Sequence, residues 1–388
     1  MEFELSFKPV NHSIDDYQYG QIGRNIMTYT SGNFPNLSEA DLVIFTVSEY
    51  RGFSSVRNEN SFEHIRNQLY QLFEGQERLR IADLGQLMLG EKINDTYQLL
   101  SDVLVECEQR NLFAVVIGGG QDLTVSQYQS CVEIGKISNM VSVDYSLDLG
   151  FKKDSIDAKS YLSEILKIKP NFLFSFTNIG LQTYHNSEDS LKLISKLFFD
   201  TYRLGEIRKN IQEIEPILRN ADFVSVDLGS VRLSDNPSVI DGSPNGFYAE
   251  EICQVMRYIG ISGRTKSLGL FNYLNFGDEK LQSEKLIAQM LWCFFEGFFH
   301  KMKQFKTTDS DLVRYHVSMR KGEYNTCFFK NKKLDKWWME IPIININPSL
   351  ELENCFIPCS YSDYQIAVNG DVPERWWKAF QKLESAMK

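Results

Sequence analysis

The stretch VSVDYSLDLG, residues 141–150, is an apolar, strand-like run that delivers two aspartates, Asp144 and Asp148, at its C-terminal end. A strand end of this kind is a frequent place for a metal site, yet the residue between the aspartates that could have been a histidine is Ser146. Working outward, ADLVIFTVSEY (40–50), NLFAVVIGGG (111–120), NFLFSFTNIG (171–180), ADFVSVDLGS (221–230) and TKSLGLFNYL (265–274) are further apolar runs separated by amphipathic stretches, the first followed by a helix over about 61–73. Continuous apolar strands alternating with helices predict an α/β protein whose parallel sheet is covered on both faces. Ligands of such sheets bind at the carboxyl ends of the strands. Gln121, Asp122, Asp144, Asp148 and Asp227 all fall there, from three different strands.

The bulk composition narrows the function classes. At 388 residues with 43% hydrophobic and 24% charged content, the chain can bury a sizeable core. A net charge of −10 argues against a nucleic-acid partner, because phosphate binding needs clustered Lys and Arg. The basic stretch 301–306 reads as a solvated helix end. No run of 18 apolar residues predicts a membrane span, and MEFELSFKPV lacks the basic and apolar regions of a signal peptide. Seven scattered cysteines fit reduced thiols and a cytoplasmic location. Cys355 and Cys359 lack a second Cys/His pair that would complete a zinc site. The glycines 118–120 are followed by no Lys-Ser/Thr, which excludes a P-loop and leaves a tight turn at the sheet end.

After a helix over 283–305 the pattern changes. LVRYHVSMRKGEYNTCFFKNKKLDKWWMEIPI alternates about Lys321-Gly322 as a hairpin does, with a further turn near Asn331. Helices are predicted to open at Ser360, with Asp363 as its capping-box partner, and near Pro373. The chain therefore divides into a main domain, 1–307, and a small α+β extension, 308–388. The pairs Trp337-Trp338 and Trp376-Trp377 either form a partner-binding surface or pack one Trp each into the extension's own core.

The order of three segments carries a resemblance. IGGGQDLT (117–124), SVDYSLDLG (142–150) and SVDLGSVRLSDNP (225–237), followed by GSPNGFYAEE (242–251), resemble the ureohydrolases arginase, agmatinase and formimidoylglutamase over roughly residues 40–300. The resemblance implies a three-layer α/β/α arginase-like fold with a mainly parallel central sheet. In that family Gly-Gly-x-His, Asp-Ala-His-x-Asp and Asp-x-Asp hold two manganese ions, whose bridging hydroxide attacks a guanidinium or formimino carbon. Position by position, the first histidine becomes Gln121, and Asp144 and Asp148 are kept around Ser146. Asp227 is kept as well, but Gly229 replaces its partner. By the same resemblance Ser243, Asn245 and Gly246 belong to the substrate-pocket loop, and Asn272 stands where the family has a substrate-binding glutamate. The five histidines lie outside these motifs, and His185 reads as a surface residue.

Three carboxylates gathered at strand ends repel one another and need compensation. A hard cation, a lysine or arginine such as Lys152, Lys153 or Arg232 swung inward, or proton sharing would each supply it. Capping bonds and solvation are the plainer alternative. Tyr145 is predicted to fill the space of a missing metal–histidine unit. The expectation is a ureohydrolase-superfamily protein with a degraded binuclear site and no catalytic residue to name. It would carry no cofactor and bind a protein partner or small molecule through the Trp-bearing extension. The alternative is a hydrolase of a linear amidine C–N bond with one divalent cation (Mg, Ca or Mn) on Asp144, Asp148, Asp227 and Gln121. Self-association is implied by the resemblance only.

Overall fold

The computed structural model describes residues 3–52, 62–75, 78–150, 156–239, 241–274, 279–302, 310–342 and 356–386. Lys152, Lys153 and Cys355, considered above, lie outside them. The strands of the main sheet are β1 (Phe7–Lys8), β2 (Met27–Thr28), β3 (Leu42–Val47), β4 (Ile81–Leu87), β5 (Phe113–Gly118), β6 (Ser138–Val143), β7 (Leu173–Leu181), β8 (Asp200–Arg203), β9 (Phe223–Asp227) and β10 (Ser267–Phe271). Their order is β1-β4-β3-β5-β10-β9-β6-β7-β8, with β2 also on β4, and only β1 runs antiparallel. The helices are α1 (Ile22–Asn25), α2 (Glu63–Gln71), α3 (Ile93–Gln109), α4 (Thr124–Glu133), α5 (Tyr161–Lys167), α6 (Glu188–Lys196), α7 (Leu204–Lys209), α8 (Glu215–Arg219), α9 (Ala249–Ile261) and α10 (Gln282–Phe299).

Both faces of the sheet are covered, which is why its central strands read as unbroken apolar runs. LVIFTV of β3 and FAVVIG of β5 are buried at every position. One face meets Leu69 of α2, Ile252 and Ile259 of α9 and Leu291 and Phe294 of α10. The other meets Leu100, Val103 and Leu104 of α3, while α4 and α5 cover it farther along with Tyr128 and Leu162. The three-layer fold thus follows from which runs must be wet on neither side. Four strands of the main sheet escaped the sequence reading, the two-residue β1 and β2 together with β4 and β8. In β4 the run IADLGQL is interrupted by Asp83 and Gly85, and β8 is only four residues long and part-exposed.

The C-terminal chain forms a second, antiparallel sheet, β11 (Leu312–Met319), β12 (Tyr324–Asn331), β13 (Lys336–Glu340) and β14 (Phe356–Cys359). It is backed by α11 (Tyr361–Val368) and α12 (Glu374–Ala386). The hairpin turns at 320–322, and Ser360 and Asp363 form the anticipated capping box, the Asp363 N–H donating to Ser360 Oγ at 3.2 Å. Trp337, Trp338 and Trp376 are buried and Trp377 is half-buried, so these pairs do not offer an exposed partner surface. Trp376, fully buried, donates from Nε1 to Glu340 O at 2.9 Å, and truncating such a residue to Ala costs about 3–5 kcal/mol. Arg219 of α8 pins this sheet to the main one. Its guanidinium lies 4.4 Å from the Trp338 ring and donates to the carbonyls of Trp337 and Cys359 at 3.0 and 3.3 Å. Cys359 is buried in this interface.

Candidate functional site

The site is built by two neighbouring parallel strands that carry the same four residues. Val141-Ser142-Val143 of β6 lies in register with Val224-Ser225-Val226 of β9, and each run ends in an aspartate, Asp144 and Asp227. Alternation along a strand puts each serine on the same face as its aspartate. This repetition was the signal in the sequence for a paired polar column, Ser142/Ser225 beneath Asp144/Asp227. Gln121 enters from the turn after β5, where Gly119 is obligatory: a Cβ there would lie 1.9 Å from Glu49 O. The glycine turn therefore carries backbone past the sheet end, as its sequence suggested.

Neutral donors hold the three motif aspartates. The Ser146 N–H donates to Asp144 Oδ1 at 2.8 Å, and Ser146 Oγ to Asp148 Oδ1 at 2.8 Å. The Gly229 N–H and the Asn272 amide both donate to Asp227 Oδ1, at 2.7 and 2.9 Å. Asn272 also takes the Gln121 N–H on its Oδ1 at 2.9 Å, joining the third motif to the first. The Gln121 side-chain amide points down the polar column, with Ser142 Oγ, Tyr161 OH and Ser225 Oγ at 3.4–3.5 Å. Asp148 and Asn272 both adopt left-handed backbone, φ 46° and 66°, which Asp and Asn tolerate better than other residues with a Cβ. Asn186 and Asn178 fix the intervening loop through Tyr145 O and Ser146 O.

Charge is what this arrangement leaves open. Gln121, Asp144 and Asp227 are buried, Asp148 is half-buried, and Asp144 Oδ2 receives no hydrogen bond. Burial first, then the charges of Asp148 and Asp227, hold the Asp144 carboxyl well above the usual range. Burial likewise pushes Asp227 up to about 7, with Asp148 adding to it and the Gly229 and Asn272 donors opposing. Asp148 is raised to about 6, again by burial, against the Ser146 hydroxyl, the Asp144 carboxyl and Lys159. The two carboxyls act on each other in opposite senses, Asp148 raising Asp144 and Asp144 lowering Asp148. Next to this group Asp122 is also buried, takes the Tyr97 hydroxyl on Oδ2 at 2.5 Å, and is raised to about 7 by burial.

The cleft above the carboxylates measures about 20 Å³ and is lined by Tyr145, Asp148, Lys159, Asp227, Gly229, Asp241 and Asn272, among others. That is room for one water or a monatomic ion. Tyr145 forms one wall, its ring 3.3 Å from where a Cβ at Gly229 would stand. Ser243, Asn245 and Gly246 do not line this cleft. Ser243 O accepts from Leu233 N, Asn245 O from Gln182 Nε2 and Gly246 O from Arg208, so these residues fasten the loop 230–247. Arg232, considered as an inward counter-charge, instead pairs with Asp235 at 2.8 Å and lies over the Tyr248 ring. Sequence reasoning missed Lys159 and Asp241, which pair at 2.5 Å at the cleft; both sit in loops whose apolar pattern carries no information. His185 is exposed and rests edge-on against Tyr145, with ring centroids 5.0 Å apart. Among the described residues, no three His, Cys, Asp or Glu side chains are gathered in a geometry that could hold a metal ion.

Comparison with known proteins places these observations. The arginase family's sequence profile matches residues 51–296. The chain is 21% identical over 242 residues to a formimidoylglutamase of Photorhabdus laumondii, covering 59% of this chain and 76% of that one. Its fold matches a Trypanosoma cruzi formiminoglutamase solved with Mn2+ (TM-score 0.61, 18% identity, 69% of this chain and 96% of the other). It also matches an agmatine ureohydrolase of Thermoplasma volcanium (TM-score 0.58, 16% identity, 73% and 95%).

Proposed function

The chain belongs to the arginase family, and on that premise we propose that it is a non-hydrolytic member whose strand-end carboxylates are held by shared protons and neutral donors rather than by two manganese ions. The observation that carries this reading is the hydrogen bonding of Asp227. Its Oδ1 accepts two N–H groups, from Gly229 and Asn272, on the side where the resemblance would place a second carboxylate. An N–H directed at a carboxylate oxygen competes with a cation for the same lone pairs. The donor set points the same way. Gly229 brings no side chain, Ser146 spends its hydroxyl on Asp148, and no imidazole lines the cleft. Two manganese ions side by side need more electron-pair donors than these residues present. The residues therefore do not fit that centre.

What remains is a fold able to bind rather than to cleave. Among the described residues the cleft measures about 20 Å³, smaller than a linear amidine, and Lys159 with Asp241 stands at it. With three of the four paired tryptophans buried, binding belongs to other surfaces than the Trp pairs. A second reading rests on one atom: Asp144 Oδ2 is buried without a donor, and relatives are named formimidoylglutamase. A single divalent cation that drew Asp144, Asp148 and Asp227 together would satisfy that oxygen and polarise water or substrate. One experiment separates the two. The protein is incubated with excess Mn2+, stripped of free ion, analysed for metal, and assayed for ammonia, formamide or urea from formiminoglutamate, agmatine and arginine. The proposal expects no turnover and far less than one ion per chain. Stoichiometric manganese with product release contradicts it.

A further inference from the structure

Helices α9 and α10 follow the neighbouring strands β9 and β10 and cover the same face of the sheet, so they run parallel and meet along their length. The contact is close because each helix has a glycine where they touch. A Cβ at Gly260 would collide with Phe294 O, and one at Gly297 with Arg257 O. Towards the N-terminal ends of both helices, Arg257 reaches across to Glu296 at 3.1 Å. One turn earlier again, the same faces carry Cys253 on α9 and Cys293 on α10. Both thiols are free and half-buried, and they are hydrogen-bonded to each other. Cys107, Cys131 and Cys359 are buried instead.

We propose that Cys253 and Cys293 are an oxidative modification site, at which hydrogen peroxide joins α9 to α10 through a reversible disulfide. In the reduced protein the Cys253 S–H donates to the Cys293 sulfur, which holds the Cys293 thiol below its ordinary range and Cys253 above it. Burial and Glu296 oppose this at Cys293, and the Arg257 guanidinium supports it. Cys107 and Cys131, by contrast, are pushed up to about 12 by burial. Cys293 is therefore the nucleophile. Its thiolate attacks one peroxide oxygen, the O–O bond breaks, and a sulfenic acid and hydroxide are left. The hydroxide takes the Cys253 proton and becomes water. The Cys253 thiolate then attacks the sulfenic sulfur, and the second hydroxide leaves as water with the proton first lost by Cys293. The two thiols give up two electrons and two protons, and hydrogen peroxide becomes two waters. An external dithiol reverses the bond by exchange.

The test treats the reduced full chain with hydrogen peroxide, unfolds and alkylates it, and maps its peptides by mass spectrometry. A peptide pair linked through Cys253 and Cys293 is expected, with two fewer alkylated thiols per chain, both recovered with dithiothreitol. The melting temperature should rise by a few degrees, because the bond restricts the unfolded chain. Cys253→Ser should form no link and stop at a Cys293 sulfenic acid that dimedone captures. Cys293→Ser should lose the link as well, with dimedone capture at Cys253 about tenfold slower. Mapping of the parent chain needs no variant, so misfolding of a variant cannot decide the outcome. Peroxide treatment that leaves Cys253 and Cys293 unlinked overturns the proposal, as does a disulfide of either with another cysteine or between chains. Equal dimedone capture at the remaining thiol of the two variants overturns the order of attack.

Discussion

Two buried acidic sites in the same sheet solve the same electrostatic problem in opposite ways. Asp83 of β4 is fully buried and has a counter-ion in place. Arg66 donates to both of its oxygens at 2.8 and 3.2 Å, and Tyr70 OH and the Gly85 N–H add bonds at 2.6 and 2.8 Å. Asp144, Asp148 and Asp227 are equally central, yet they are met by serine, glycine and asparagine donors, with Lys159 paired to Asp241 rather than to them. At Asp83, where the buried carboxylate serves structure alone, this protein supplies a guanidinium. Three carboxylates without one must hold protons or a foreign cation, because bare charges in so dry a place are too costly.

Breaking the compensated site should have the largest effect. Arg66→Leu leaves Asp83 buried without its counter-charge and should cost about 3–5 kcal/mol in urea unfolding. A loss below about 1 kcal/mol would remove the contrast. Neutralising the uncompensated site should do the reverse. Asp227→Asn keeps an oxygen for the Gly229 and Asn272 donors and removes a charge whose protonation the fold favours. The folded value near 7 lies above the unfolded value, so the native state binds the extra proton. That contribution is fully present below about pH 4 and is lost as pH rises through about 7. The variant should therefore be more stable than the parent by about 4 kcal/mol at pH 8, with the difference vanishing towards pH 4. Were Asp227 a metal ligand, the variant would instead melt lower than the parent in the presence of Mn2+. The smallest effect belongs to Lys159→Gln, since an ion pair this exposed contributes about 0–1 kcal/mol. A loss well beyond that would mean that Lys159 compensates the carboxylates after all.

These contrasts also mark what the sequence could convey. The central strands were legible because burial on both faces writes an unbroken apolar run, and the strand-end positions of Gln121, Asp144 and Asp227 followed from it. The hairpin and the Ser360 capping box were legible because turn and cap chemistry is local. β4 was hidden by the very residues, Asp83 and Gly85, that make it informative, since their partners Arg66 and Tyr70 stand on a helix many residues away. The same is true of Lys159 and Asp241, which meet across the cleft from separate loops. The inward turn proposed for Arg232 failed for a local reason, because Asp235 three residues on and the Tyr248 ring are nearer partners. Side-chain pairing across the fold has no periodicity in the chain, so position was readable and compensation was not.

The claim under all of this is that protons, not a pair of metal ions, balance the charge of Asp144, Asp148 and Asp227. Crystals grown at pH 8 with excess Mn2+ and measured on both sides of the manganese absorption edge address it directly. The account predicts no anomalous peak within bonding distance of these three carboxylates. Two peaks a few ångströms apart, bridged by Asp144 and Asp227, would contradict it.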